Sequence, residues 1–194
     1  MRTHRLVWVL VAIGVCCLVG CSTAPKSVGQ REELSAKVQA ALDGAKQTDP
    51  GLQRFFNTAA GYAVFPDVGK GAVGVGGAYG RGQLFQKGQL VGYCSLTQAS
   101  VGLALGGQAY TEIIFFEDQN ALDRFKSNNY AFAAQASAVA LKSGASANAQ
   151  YADGVAVFTM GEAGLMVEAS VGGQKFSFEP LAQAERGTYE ASSR

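Results

Sequence analysis

The sequence predicts an α+β domain, an antiparallel, Gly-rich sheet or partly closed barrel flanked by helices. Three observations lead there. Many short apolar runs are punctuated by glycine, which interrupts regular elements and marks turns and close backbone approaches. Helical periodicity is confined to segments at the front and in the middle of the chain. Alternating βαβ units are missing, so the sheet is expected to be antiparallel.

The chain has 194 residues, enough for one domain with a proper core. Residues 1–20 read as a secretory signal, with Arg2, His4 and Arg5 ahead of an apolar run from Leu6 to Val19. That run is short for a bilayer span, and it ends in Leu18-Val19-Gly20-Cys21, which resembles a bacterial lipobox. Cys21 is therefore the expected site of lipid attachment and the expected new N-terminus. Several acyl chains hold a protein on a membrane stably where a single chain binds marginally. Ser22, rather than an Asp, follows the cysteine, which favours the outer membrane, facing the periplasm.

Removing Arg2 and Arg5 with the signal leaves 14 basic residues against 15 acidic ones, a balance that provides no electrostatic footprint for nucleic acid. Cys16 and Cys17 leave as well, and acylation of Cys21 isolates Cys94. No disulfide can then form within the mature chain, and packing must supply the stability.

Residues 21–30 read as a lipidated tether, small and polar and broken by Pro25 and Gly29. Leu34, Val38, Ala41, Leu42 and Ala45 predict a helix over residues 31–47. Its polar face is mixed in charge, which favours core packing over bilayer contact. Asp49-Pro50 predicts an N-cap with proline at the first helical position, and Leu52, Phe55, Phe56 and Ala59 give a short apolar face. Gly61 is expected to end that helix in a left-handed conformation. A strand from Tyr62 to Phe65 is expected to stop at Pro66.

The stretch from Gly61 to Gly82 is the centre of the pattern. At a period of two, Ala72, Gly74, Gly76, Ala78 and Gly80 share one face, and Val73, Val75, Gly77, Tyr79 and Arg81 the other. A bare face predicts either another backbone layer packed closely on it or a ligand groove, of which the packed layer is favoured. Dinucleotide and Walker readings both fail. No helical period follows the glycines, and Gly71 stands where Ser or Thr would follow the lysine.

Lys87-Gly88 predicts a hairpin between Gln83–Phe85 and Gln89–Ser95. Val101–Tyr110 repeats the small-residue stripe, and Thr111–Phe116 continues as an apolar strand in which Glu112 is expected to face outward. Glu117–Lys126 is expected to be helical with Ala121, Leu122 and Phe125 inward. Ser143–Asp153 is expected to be a loop. Strands are expected at Val155–Met160, Gly164–Val171 and Lys175–Glu179, with turns at Gly161 and Gly172-Gly173, and residues 183–194 as a frayed tail.

FPDVGKGAVGVGGAYGRG, followed by VGLALGGQAYTEIIFF and then NALDRF, resembles the SYLF domain. That family is named from eukaryotic membrane-trafficking and actin-patch proteins and also occurs in bacterial lipoproteins. The resemblance runs from about Leu34 to Phe178. It implies a lipid-binding module, with phosphoinositide and actin binding in eukaryotic members and generic membrane association in a bacterial envelope. It also implies a strand within Tyr130–Leu141, where alanine content alone favours helix.

Catalytic patterns are scarce. His4, the only histidine, lies in the signal, so the mature chain has no Ser-His or Cys-His nucleophile system and no imidazole metal site. There is no Ser-x-x-Lys and no EF-hand pattern, and no cofactor is implied. Lys70 in the glycine-rich turn and Arg81 at the end of the same strand are the candidate lipid-binding residues, placed to meet a lipid phosphate. The expected function is that of a lipid-anchored envelope protein whose domain binds membrane lipid, including anionic head groups, without covalent chemistry. The alternatives are a structural or protein-interaction module of the envelope and a hydrolase of envelope material using converging carboxylates.

Overall fold

Ser27 opens the first helix, its hydroxyl accepting from the Gln30 N–H at 3.3 Å. The helix, α1 (Val28–Thr48), therefore starts three residues earlier than its apolar period suggests, and Leu34, Val38, Leu42 and Ala45 are its buried stripe. The computed structural model describes residues 23–127, 131–132, 138–161 and 166–185 and, within these, all side chains except those of 72–75, 100–106, 131–132 and 166–172. The signal segment, Cys21, much of Tyr130–Leu141 and the tail beyond 185 lie outside the described residues.

Asp49 caps the next element: its carboxylate accepts from the Gly51 N–H at 3.0 Å, with Pro50 at the first position of a 3-10 turn, Pro50–Leu52. A short helix, α2 (Gln53–Thr58), continues from it. Gly61 does not end that helix in a left-handed conformation; it opens β1 (Gly61–Gln86). Glycine is needed there because a Cβ would lie 2.7 Å from the Phe85 carbonyl.

Two very long strands carry the fold. β1 pairs antiparallel with β2 (Gln89–Phe116) through a two-residue turn, Lys87-Gly88, both with positive φ of 52° and 75°. That turn geometry matches the twist of the flanking strands. Pro66 does not stop β1. The register shifts between Phe65 and Val68, and β1 is an edge strand, so the missing N–H breaks no ladder bond on its open side.

The far edge of β2 is shared. Its first half, Gly92–Gly106, pairs with β6 (Met166–Pro180), and its second half, Tyr110–Phe116, pairs with β5 (Val155–Gly161). β3 (Ala131–Phe132) adds to β6, and β4 (Val139–Ala140) lies parallel to β5. The fold is α+β, its sheet antiparallel but for β4 and not closed into a barrel, since among the described residues β1 pairs with β2 alone. β6 runs through Gly172-Gly173, so the turn expected there is a strand. The Ser143–Asp153 loop contains a 3-10 turn, Ala145–Asn148.

The ribbon turns back on itself. A Cβ on Gly80 would lie 2.9 Å from a Val68 methyl, and one on Gly82 would strike the Val64 carbonyl and the Phe65 ring. At Gly80 and Gly82 the bare face is thus occupied by the other arm of its own strand, a packed layer of the kind a glycine stripe implies. Burial alternates accordingly, with Gly76, Ala78 and Gly80 buried and Gly77 and Tyr79 exposed.

Two cores result. Inside the fold, Phe65, Leu84, Cys94, Leu96, Ile114 and Phe116 meet Phe176, closed at one end by Leu122 and Phe125 of α3 (Gln119–Lys126). Outside, Leu34, Val38 and Leu42 of α1 and Phe55 of α2 cover Val64, Tyr93, Phe115 and Phe158. Phe55 lies 5.3 Å from Phe115 and 5.1 Å from Phe158, in the range where ring pairs add stability beyond buried area.

Within the described residues, both flanks of the domain are docked on it. Ala24 is buried, and its N–H donates to Glu179 at 2.9 Å. Residues 181–185 form a turn of helix, α4, whose Ala184 is buried and whose carbonyl accepts from Arg31 at 2.7 Å.

Candidate functional site

Glu112 is the feature that departs most from expectation. The sequence pattern places it outward, yet it is 0% exposed. The reason lies in its neighbours: Ile113 and Phe115 are buried on one face of β2, and Ile114 and Phe116 on the other, so the strand has no solvent side. That double burial was readable in the sequence as an apolar run on both parities.

The inner face surrounds Glu112 with polar groups. Gln174 on β6 donates to Glu112 Oε2 at 3.0 Å and lies 3.5 Å from the Tyr110 hydroxyl. Gln98 stands opposite Gln174 in the ladder, and all three neighbours are buried. Among the described residues, Glu112 Oε1 and Gln174 Oε1 accept no hydrogen bond. Burial raises the Glu112 carboxyl from 4.5 to about 7, partly opposed by the Gln174 amide. The arrangement extends the acid form of the carboxyl up to about neutral pH; among the described residues its hydrogen-bond donor is the Gln174 amide and no second carboxylate is paired with it. Cys94, on the same inner face, is fully buried, and burial pushes its thiol well up.

Lys70 lies on this inner face as well, 7% exposed and opposite Gln108. The glycine-rich turn expected around it is a continuous strand, with Gly69, Lys70 and Gly71 in ladder register with β2. Lys70, Gln108, Tyr110, Ala138, Leu141 and Thr159 line a cleft of about 450 Å³ between β1, β2, β4 and β5. Tyr110 connects that cleft to the Gln174–Glu112 pair.

Arg81 is elsewhere. It stands on the outer face with Tyr79, its Nε donating to the Tyr79 hydroxyl at 3.0 Å. Tyr79 and Arg81 line a separate cleft of about 310 Å³, whose other wall is Pro25 and the first turns of α1. Lys37 in that wall pairs with Glu33 at 3.2 Å and Asp67 at 3.3 Å. The two candidate lipid-binding residues are therefore not brought together. Sequence reasoning missed the buried polar groups Gln98 and Gln174, which were unremarkable as single residues in glycine-rich strands.

Comparison with known proteins fits this architecture. Residues 97–192 match the family model Ysc84, described as "Las17-binding protein actin regulator". The chain is also 29% identical over 154 residues to Beta cell expansion factor A of Aeromonas veronii, an alignment covering 78% of this chain and 59% of that protein. The chain thus spans about three fifths of that relative's length. The matched region begins in the middle of β2 and takes in β3 to β6, the half of the sheet that pairs along its far edge. Residues 97–192 thus match the Ysc84 (SYLF) family model, and the glycine-rich motifs of the chain resemble the same family.

Proposed function

We propose that this protein is a lipid-anchored component of the bacterial envelope, acylated at Cys21, whose SYLF domain associates with membrane lipid and performs no covalent chemistry. The observation that carries the reading is the Leu18-Val19-Gly20-Cys21 lipobox at the end of an apolar run, ahead of a domain of a lipid- or actin-binding family type. The histidine-free mature chain favours contact over catalysis, and the buried Glu112 is hydrogen-bonded to the Gln174 amide. Outer-membrane attachment facing the periplasm follows from Ser22. Arg81 is proposed to meet lipid phosphate from the outer cleft, which Lys70, buried in a cleft of its own, does not share. Vesicle flotation of a Cys21→Ala chain tests intrinsic lipid affinity: co-flotation with phospholipid vesicles is expected, and failure to bind both anionic and zwitterionic vesicles refutes it.

A second reading makes acylation the whole of the membrane attachment and gives the domain a protein partner. The family's description, which names Las17 binding, favours it. Crosslinking in intact cells that captures one specific protein, while vesicles capture nothing, would establish this reading instead.

A further inference from the structure

We infer that the anchored domain rests on the phospholipid bilayer through the face that carries Lys26, Val28, Tyr79 and Arg81, and turns the Lys70 cleft away from that contact. The inference rests on acylation of Cys21 and adds an orientation to it. The N-terminal segment leaves almost no slack. Ala24 is 2% exposed and held to Glu179, and Arg31 grips the Pro25 carbonyl at 3.1 Å and the Ala184 carbonyl at 2.7 Å. Three residues from Cys21 to Ala24 span at most ~10 Å. An acyl anchor at Cys21 therefore keeps this end of the domain against the head groups.

The same end has the surface a bilayer would require. Among the described residues, the large apolar side chains left exposed are Val28 at 61% and Tyr79 at 49%. Tyr79 lines one cleft with Pro25 and Gln30, and Val28 lies between those two residues in the chain. Tyrosine, with an apolar ring and a polar tip, suits the head-group level. Exposed Lys26 and half-buried Arg81 flank this patch. Among the described residues no acid lies within ion-pair distance of Arg81, whereas Lys37 is committed to Glu33 and Asp67. Two apolar tips with two cations beside them, all next to the anchor, suit phosphate head groups with their acyl boundary beneath.

Trp8 is the chain's only tryptophan and leaves with the signal, so a single introduced tryptophan reports one position without background. Val28→Trp, Tyr79→Trp and, at an exposed site in the Ser143 loop region, Lys142→Trp would each be placed in the acylated full chain. Each would be reconstituted in phosphatidylethanolamine vesicles containing phosphatidylglycerol and a brominated lipid. Blue-shifted emission with several-fold stronger bromine quenching at positions 28 and 79 than at 142 is the expected result. If the chain floats with the vesicles but 28 and 79 remain unquenched, or 142 is quenched as strongly, the orientation is wrong and the anchor stands. If the chain does not float, the anchor and the orientation fall together.

Discussion

Glu112 and Tyr79 break the same rule in opposite directions. One puts an ionisable group, fully buried, inside the folded ribbon; the other leaves an aromatic ring half exposed on the ribbon's outer face. A sequence shaped by stability alone would exchange them. The inner departure acts on the fold itself, because a buried carboxyl ties stability to pH. The outer departure leaves the fold alone and creates a surface that gains by meeting something apolar. The two faces of one ribbon therefore answer to different demands, and substitutions should separate them.

The largest effect is expected where the inner face has no room. Gly82→Val places a side chain into the Val64 carbonyl and the Phe65 ring, and should cost more than about 3 kcal/mol, since overpacking is here compounded by backbone conflict. Gly69→Ala, with nothing within 4 Å of the new methyl, should change stability by less than about 0.5 kcal/mol. Urea denaturation of the two variants gives the contrast directly.

Glu112→Gln comes next. The folded-state carboxyl, at about 7, lies above its ordinary 4.5, so its contribution to stability is full below pH 4.5 and is lost as pH rises through about 7. The glutamine variant should match the parent in acid and exceed it by up to about 3 kcal/mol near pH 8, at 1.36 kcal/mol per pKa unit. Equal stability of the two proteins at alkaline pH would show that burial does not raise the Glu112 carboxyl.

Asp49 is the counterexample, a buried carboxylate with donors. Burial opposes its charge, but donors led by the Ser146 and Gly51 N–H groups outweigh burial and hold its carboxyl below the usual 3.8. Its contribution is present above that value and is lost as pH falls through the lowered one. Asp49→Ala, which frees the Ser146 and Gly51 N–H groups, should cost about 1–2 kcal/mol in thermal or urea unfolding at neutral pH.

The smallest effect on stability, and the largest on adhesion, is expected outside. Val28→Ser combined with Tyr79→Ser should shift unfolding by less than about 0.5 kcal/mol while weakening co-flotation of the Cys21→Ala chain. A double variant that floats as well as its parent would remove both side chains from the contact.

The helices and turns were legible because their signals are local. Leu34, Val38 and Leu42 mark a face, Asp49-Pro50 a cap, and Lys87-Gly88 a hairpin, each within a few residues. The strands were legible in type but not in length. Pro66 reads as a stop, since nothing nearby reveals that β1 would be an edge strand with a register shift at that point. Gly172-Gly173 reads as a turn, although β2 lies alongside to keep the segment extended. Glu112 and Lys70 mislead for a related cause. Both are also covered from elsewhere in the chain: Gln174 of β6 reaches Glu112, and Ala138, Leu141 and Thr159 line the cleft beside Lys70. The docking of Ala24 on Glu179, 155 residues later, is of the same kind.

Mass spectrometry of the protein extracted from native membranes bears most directly on the central claim. The account predicts a mature chain beginning at Cys21 with its sulfur carrying a diacylglycerol group. A chain with an unmodified Cys21, or one cleaved at another residue, would contradict it.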